Sequence, residues 1–85
     1  MNKYIVHCRK DLYDIYIGRP SKWGNPYKIG GKSTRELVIE HYRKKIIEDS
    51  EFITQIKLEL KGKILGCWCA PLACHGDVLA EIANE

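Results

Sequence analysis

Residues able to do chemistry crowd into one stretch, Gly66-Cys67-Trp68-Cys69-Ala70-Pro71-Leu72-Ala73-Cys74-His75-Gly76-Asp77, which holds three of the four cysteines and one of the three histidines. Three chemistries compete for it. Cys67, Cys69, Cys74 and His75 are zinc-type ligands, but their spacing lacks the separated Cys-x2-4-Cys halves of common structural sites, and adjacent side chains such as Cys74 and His75 diverge from a single ion. The reading therefore assigns no metal and no cofactor, and keeps a zinc-stabilised interaction module as an alternative. Cys74 beside His75 at a helix start supplies a thiol of lowered pKa and a base, the minimum for covalent catalysis. It lacks a third, orienting residue, so the reading leans away from an enzyme while keeping one that processes nucleotides or nucleic acid through Cys74 and His75 as a second alternative. The favoured chemistry is anion binding, because free N–H groups and the positive end of a helix dipole meet where a strand turns into a helix.

A second stretch supplies what an anion site needs. In the loop from Arg19 to Tyr27, Arg19 and Lys22 offer phosphate contacts, Trp23 and Tyr27 (with Tyr16 nearby) offer stacking faces, and Asn25 carries a donor and an acceptor for a base edge. Arg35 adds a further cation. The expected ligand-binding set is Arg19, Lys22, Trp23, Asn25, Tyr27, Arg35, Cys74 and His75, with no catalytic residue. No phosphate-cradling Gly-x4-Gly-Lys motif is present to suggest nucleotide hydrolysis.

The elements that must hold these residues are read from pattern. Tyr4–Cys8 and Tyr13–Ile17 read as two strands able to form a hairpin, Tyr13–Ile17 by its period-two alternation. Ser33-Thr34-Arg35-Glu36 reads as a capping box opening a helix to about Glu48, with Val38, Tyr42 and Ile46 on one stripe. Ser50 is expected to cap a second helix over Glu51–Leu60. Lys61-Gly62-Lys63 turns into a buried third strand, Ile64–Cys69, and a turn at Pro71 leads to a last helix from about His75. The expected fold is α/β, a small three-stranded mixed sheet packed with three helices in the order β-β-α-α-β-α. It forms one domain over residues 1–85, with both distinctive stretches at strand carboxyl ends.

Whole-chain properties bound the partners. Eighty-five residues bury a modest core, so a homo-oligomer is expected. A net charge of +3 is too small for a dedicated binder of extended nucleic acid and suits a small anionic nucleotide ligand. No leader or membrane-length apolar run is visible, so a cytoplasmic protein with reduced thiols is expected.

Ile17-Gly18-Arg19-Pro20-Ser21-Lys22-Trp23-Gly24-Asn25-Pro26-Tyr27 resembles the IGRxSxWGNPF signature of the domain of unknown function 4326, a small bacterial and phage family. Thr34-Arg35-Glu36 with Tyr42, and Leu65 through Leu79, resemble its TRE…Y and LGCWCAPLPCHGDVL signatures. Ala73 stands where the family often has proline. The resemblance implies a phage setting, with the host cytoplasm as the place of action, and brings no catalytic or metal residue with it. The small size, the absence of a catalytic set and this setting together lead to one expectation. The protein sequesters a phosphate-bearing nucleotide signal, such as a cyclic dinucleotide, and so blocks host immune signalling.

Overall fold

A computed structural model describes residues 3–27, 30–32, 34–70 and 72–85. The proposed Ser33 cap, the turn at Pro71 and the loop positions Lys28 and Ile29 lie outside the described residues. The elements are β1 (Ile5–His7), β2 (Ile15–Tyr16), α1 (Arg35–Ile47), α2 (Ser50–Leu60), β3 (Leu65–Cys67) and α3 (His75–Ala83), in the expected α/β order.

The sheet departs from expectation in direction and pairing. Its order is β1-β3-β2, and both outer strands run parallel to β3, with Ile5 and Ile15 each opposite Leu65. The sheet is therefore all parallel rather than mixed, and β1 and β2 form no hairpin. Alternation in a strand assigns its faces but says nothing of its partner or direction. With strands only two and three residues long, residues 8–14 suffice to bring the chain back from the end of β1 past β3. The return is pinned at its end, where Ile64 N–H donates to the Asp14 carboxylate at 2.8 Å and Asp14 N–H donates to the Ile64 carbonyl at 2.8 Å.

The two faces of β3 differ. Leu65 and Cys67 are buried, and Cys67 meets Cys74 at the start of α3. Gly66 points to the opposite face, where the ring of Tyr13 lies so close that a Cβ on Gly66 would stand 2.6 Å from its Cγ. Only glycine fits between β3 and that ring. On the helix side Gly76 has the same role, because a Cβ there would sit 2.7 Å from Ile17 Cδ1 and 2.9 Å from Ile5 Cδ1. The first turn of α3 can thus press directly onto the sheet.

α3 packs on β1, β3, α1 and α2, and six of its residues are buried. The expected stripe of α1 holds, with Val38, Tyr42 and Ile46 buried, and Ile56 and Leu60 of α2 are buried as well, most of these in one core with Ile5, Ile17, Leu65, Val78, Leu79 and Ile82. Two caps shift by one residue. Thr34 caps α1 by accepting from Leu37 N–H, and Asp49 caps α2 by accepting from Phe52 N–H, leaving Ser50 as the first helical residue. An Asp or Thr in extended backbone just before the first turn satisfies the same free N–H groups that a serine would. Among the described residues no helix is long and apolar enough to cross a membrane.

Candidate functional site

β2 and β3 run in the same direction, so the loop after β2 and the turn after β3 emerge together, beside the amino end of α3. Between them lies a cavity of about 590 Å³, within the usual range for small-molecule sites. Arg19, Asn25, Tyr27, Arg35, Cys74 and His75 all line it, together with Tyr16, Cys67, Trp68 and Cys69. Six of the eight expected ligand-binding residues therefore meet at one place.

The six differ in what they have to offer. Arg19 lies exposed at the rim, and no acidic side chain among the described residues pairs with it. Arg35, at the first position of α1, donates from Nη1 to the Ala73 carbonyl at 2.9 Å, tying the start of α1 to the turn before α3. No aspartate or glutamate is found among the described residues of the lining, so the two guanidinium groups set its charge. Tyr27 is part-exposed, with its ring edge-on to His41. Asn25 is buried and committed to the fold: Oδ1 accepts from Tyr27 N–H at 2.9 Å, and Nδ2 donates to the Val38 carbonyl at 3.3 Å. It clamps the loop to α1, and the expected reading of a base edge is corrected to this structural role.

Lys22 and Trp23 lie elsewhere. Trp23 is 4% exposed, packed on Phe52 with ring centroids 5.4 Å apart, and its carbonyl accepts from the Tyr42 hydroxyl at 2.6 Å. A side chain so enclosed has no free face for a base. Lys22 lies over the Trp23 ring and pairs with Glu59 of α2 at 2.9 Å, away from the cavity. The apolar demand of a small core takes the large indole inward, and the lysine follows it to the acidic side of α2.

Trp68 is the exposed aromatic face of the lining that sequence reasoning did not single out. It lines the cavity, is 55% exposed, and is fixed by donation from its Nε1 to the Tyr16 hydroxyl at 2.8 Å. Arg9 lies over its ring and His7 meets it edge-on. The signal was present in the alternation: with Cys67 turned inward at the end of β3, the next residue turns out.

His75 and Cys74 diverge at the start of α3. His75 Nε2 is 2.7 Å from the Ile17 carbonyl. A carbonyl only accepts, so Nε2 carries the proton. Burial pushes the His75 pKa down, opposed by that hydrogen bond, and the nearby Arg19 lowers it further. The ring is therefore a neutral imidazole at neutral pH, with Nδ1 as an acceptor. Cys74 turns instead to Cys67, with the sulfurs 3.4 Å apart, and caps α3: Gly76 N–H donates to its Sγ and its own N–H donates to the Asp77 carboxylate. Cys67 is held below the ordinary thiol range by the hydrogen bond from Cys74, helped by the N–H groups of Ala70 and Cys69. The Cys74 proton is retained well above that range, because it is donated to Cys67 and the site is buried. All four cysteines are free thiols, and no group of three or more His, Cys, Asp and Glu among the described residues is arranged around a metal position.

Residues 4–85 match the family described as Domain of unknown function (DUF4326), and the chain belongs to it. It is 41% identical to an uncharacterised 12.4 kDa protein from the nrdA-td intergenic region of Enterobacteria phage T4, over 95% of this chain and 77% of the phage protein. It is also 37% identical to an uncharacterised protein of Acanthamoeba polyphaga mimivirus, over 95% of this chain and 71% of the viral one. No solved structure matches it.

Proposed function

We propose that the cavity binds a small phosphate-bearing nucleotide and that the protein acts by sequestering it, removing a host immune signal such as a cyclic dinucleotide. The observation that carries this reading is the lining, in which Arg19 and Arg35 are offset by no carboxylate among the described residues, with Trp68, Tyr16 and Tyr27 on the same walls. Guanidinium groups suit phosphate oxygens, and aromatic faces suit bases. The position fits as well, since ligands of parallel sheets sit beyond the carboxyl ends of the strands. Viral relatives make interference with a host signal a natural setting. We assign the protein to the host cytoplasm and to a homo-oligomer. The latter is favoured by bulky apolar side chains left exposed at Leu12, Ile47, Leu58 and Leu72, and sedimentation velocity tests it.

The alternative, an enzyme acting on nucleotides or nucleic acid through Cys74 and His75, is favoured by one feature, the place of both residues in the cavity wall. One experiment separates the two. Mono-, di- and cyclic nucleotides are titrated calorimetrically into the wild type, and each nucleotide is then recovered and analysed by chromatography. Sequestration gives saturable binding with the nucleotide returned intact, and binding weakens in Arg19→Ala and Arg35→Ala. Converted nucleotide establishes the enzyme. No binding of any member of the panel overturns the nucleotide reading.

A further inference from the structure

The cavity wall contains a feature that anion binding does not use. Cys67, at the end of β3, and Cys74, at the amino end of α3, place their sulfurs 3.4 Å apart. We propose that Cys67 and Cys74 form a peroxide-reactive dithiol, in which Cys67 attacks the peroxide first and Cys74 resolves the product to an intramolecular disulfide. This needs the cavity open to peroxide but does not depend on which ligand the cavity otherwise takes.

The geometry supports each half of the reaction. The sulfurs need approach by only about 1.4 Å to reach disulfide bonding distance. Each sits at the end of its element: Cys67 is the last residue of β3, and Cys74 precedes the first helical residue of α3. Both residues are almost fully enclosed, at 1% and 2% exposure, yet both line the cavity, so an oxidant must enter through it and must be small. Cys69, also on the lining, lies near enough to Cys74 to help raise its pKa, but among the described residues it makes no sulfur–sulfur hydrogen bond.

The division of roles follows the acidity of the two thiols. Either sulfur can donate across the 3.4 Å contact, and Cys67 is the member held below the ordinary thiol range, which favours it as the thiolate, the nucleophilic form. The Cys67 thiolate attacks one peroxide oxygen, the O–O bond breaks, and the leaving hydroxide takes up a proton as water, leaving Cys67 as the sulfenic acid. The Cys74 sulfur then attacks Cys67 as its proton passes to the departing hydroxyl, which leaves as a second water. In total two thiols lose two protons and two electrons, and one peroxide is reduced to two waters.

The test treats reduced wild-type protein with one equivalent of hydrogen peroxide, alkylates the remaining thiols and maps the products by mass spectrometry. The segment from Ile64 to Glu85 contains no Lys or Arg, so trypsin leaves Cys67, Cys69 and Cys74 on one peptide, and chymotryptic cleavage after Trp68 and Leu72 is needed to place the link. The expected product has lost two hydrogens, carries two fewer alkyl groups, joins Cys67 to Cys74 and reverts with dithiothreitol. Cys69→Ser should form the same link at the wild-type rate. Cys74→Ser, which keeps a capping oxygen, should stop at the Cys67 sulfenic acid, trapped by dimedone, and Cys67→Ser should lose most of the fast phase. A link through Cys69, or consumption of wild-type thiols no faster than in the urea-unfolded chain, overturns the proposal. The wild type and Cys69→Ser decide it even where another variant fails to fold.

Discussion

Arg19 and Trp23 stand four residues apart in the same loop, and the structure predicts that replacing them will fail in opposite ways. Trp23→Ala empties a buried indole from the contact with Phe52 of α2. Deletions of this kind cost about 3–5 kcal/mol, from lost transfer energy plus the cavity left behind. A chain of 85 residues has roughly 4–13 kcal/mol in total, so this one change removes a large part of it. The melting midpoint should fall by at least about 12 °C, at about 4–8 °C per kcal/mol for a domain of this size. Arg19→Ala removes an exposed side chain with no ion-pair partner among the described residues and should leave stability within about 0.5 kcal/mol of wild type. Its cost should appear in nucleotide affinity: a charge-assisted contact of about 1.5–3 kcal/mol is a loss of about 10- to 140-fold, and the salt dependence of binding should flatten. The assays are thermal melting of both variants and calorimetric titration of whichever stays folded. A Trp23→Ala variant that melts within a few degrees of wild type but no longer binds would refute the buried role of Trp23. An Arg19→Ala variant as unstable as Trp23→Ala would make Arg19 structural and weaken the case for the cavity.

Lys22→Ala should change neither urea stability, beyond about 0.5 kcal/mol, nor nucleotide affinity, because its pair with Glu59 is exposed on both sides and lies outside the cavity. Gly66→Ala should destabilise by about 1–3 kcal/mol in urea unfolding, since the added methyl meets the inner carbon of the Tyr13 ring rather than a flexible tip. Adding Tyr13→Ala should recover part of that loss, and a strictly additive double variant would show that the two do not touch. The pKa of His75 is lowered by burial, so the folded state binds its proton less well than the unfolded chain. Its contribution to stability should be fully present above about pH 6.5, the unfolded value, and be lost as pH falls through the lower folded value. The slope of stability against pH in that window should shrink in His75→Gln, measured by denaturant unfolding at each pH.

Local features of the fold were legible in the sequence and long-range ones were not. Helix stripes such as Val38, Tyr42 and Ile46 recur at a spacing that a helix alone satisfies, and they are buried as expected. Caps were located to within one residue, because Thr34 and Asp49 stand beside the serines first considered and offer the same acceptor. Strand pairing depends on residues fifty to sixty positions apart, and the alternation of Tyr13–Ile17 is equally consistent with a hairpin and with the parallel edge strand it becomes. The exchange of roles between the tryptophans has a similar origin. Ile64–Cys69 reads as a strand buried on both faces, which suits a parallel sheet covered on both sides. Here α3 covers the face of Leu65 and Cys67, and Trp68 is left half exposed. Trp23, in a loop rich in turn residues, reads as a surface platform, but in a domain this small a loop indole is needed to complete the core.

The parallel direction of the strands also explains why the two distinctive stretches meet even though their pairing differs from expectation. A hairpin partner for β1 would leave the direction of β2 relative to β3 open. The parallel register, with Ile15 opposite Leu65 and Tyr16 opposite Gly66, brings Ile17 level with Cys67. The first turn of α3 then reaches both strand ends at once, His75 through the Ile17 carbonyl and Cys74 through the Cys67 sulfur. Gly76 next to them lets the helix come close enough for both contacts. The two sequence signatures are therefore two sides of one structural joint: the first supplies Ile17 and the arginine loop, and the second supplies the thiols and the helix start. Neither builds the cavity without the other. A site assembled from two parallel strand ends and one helix start needs only these short segments, which is how so small a sheet can hold it.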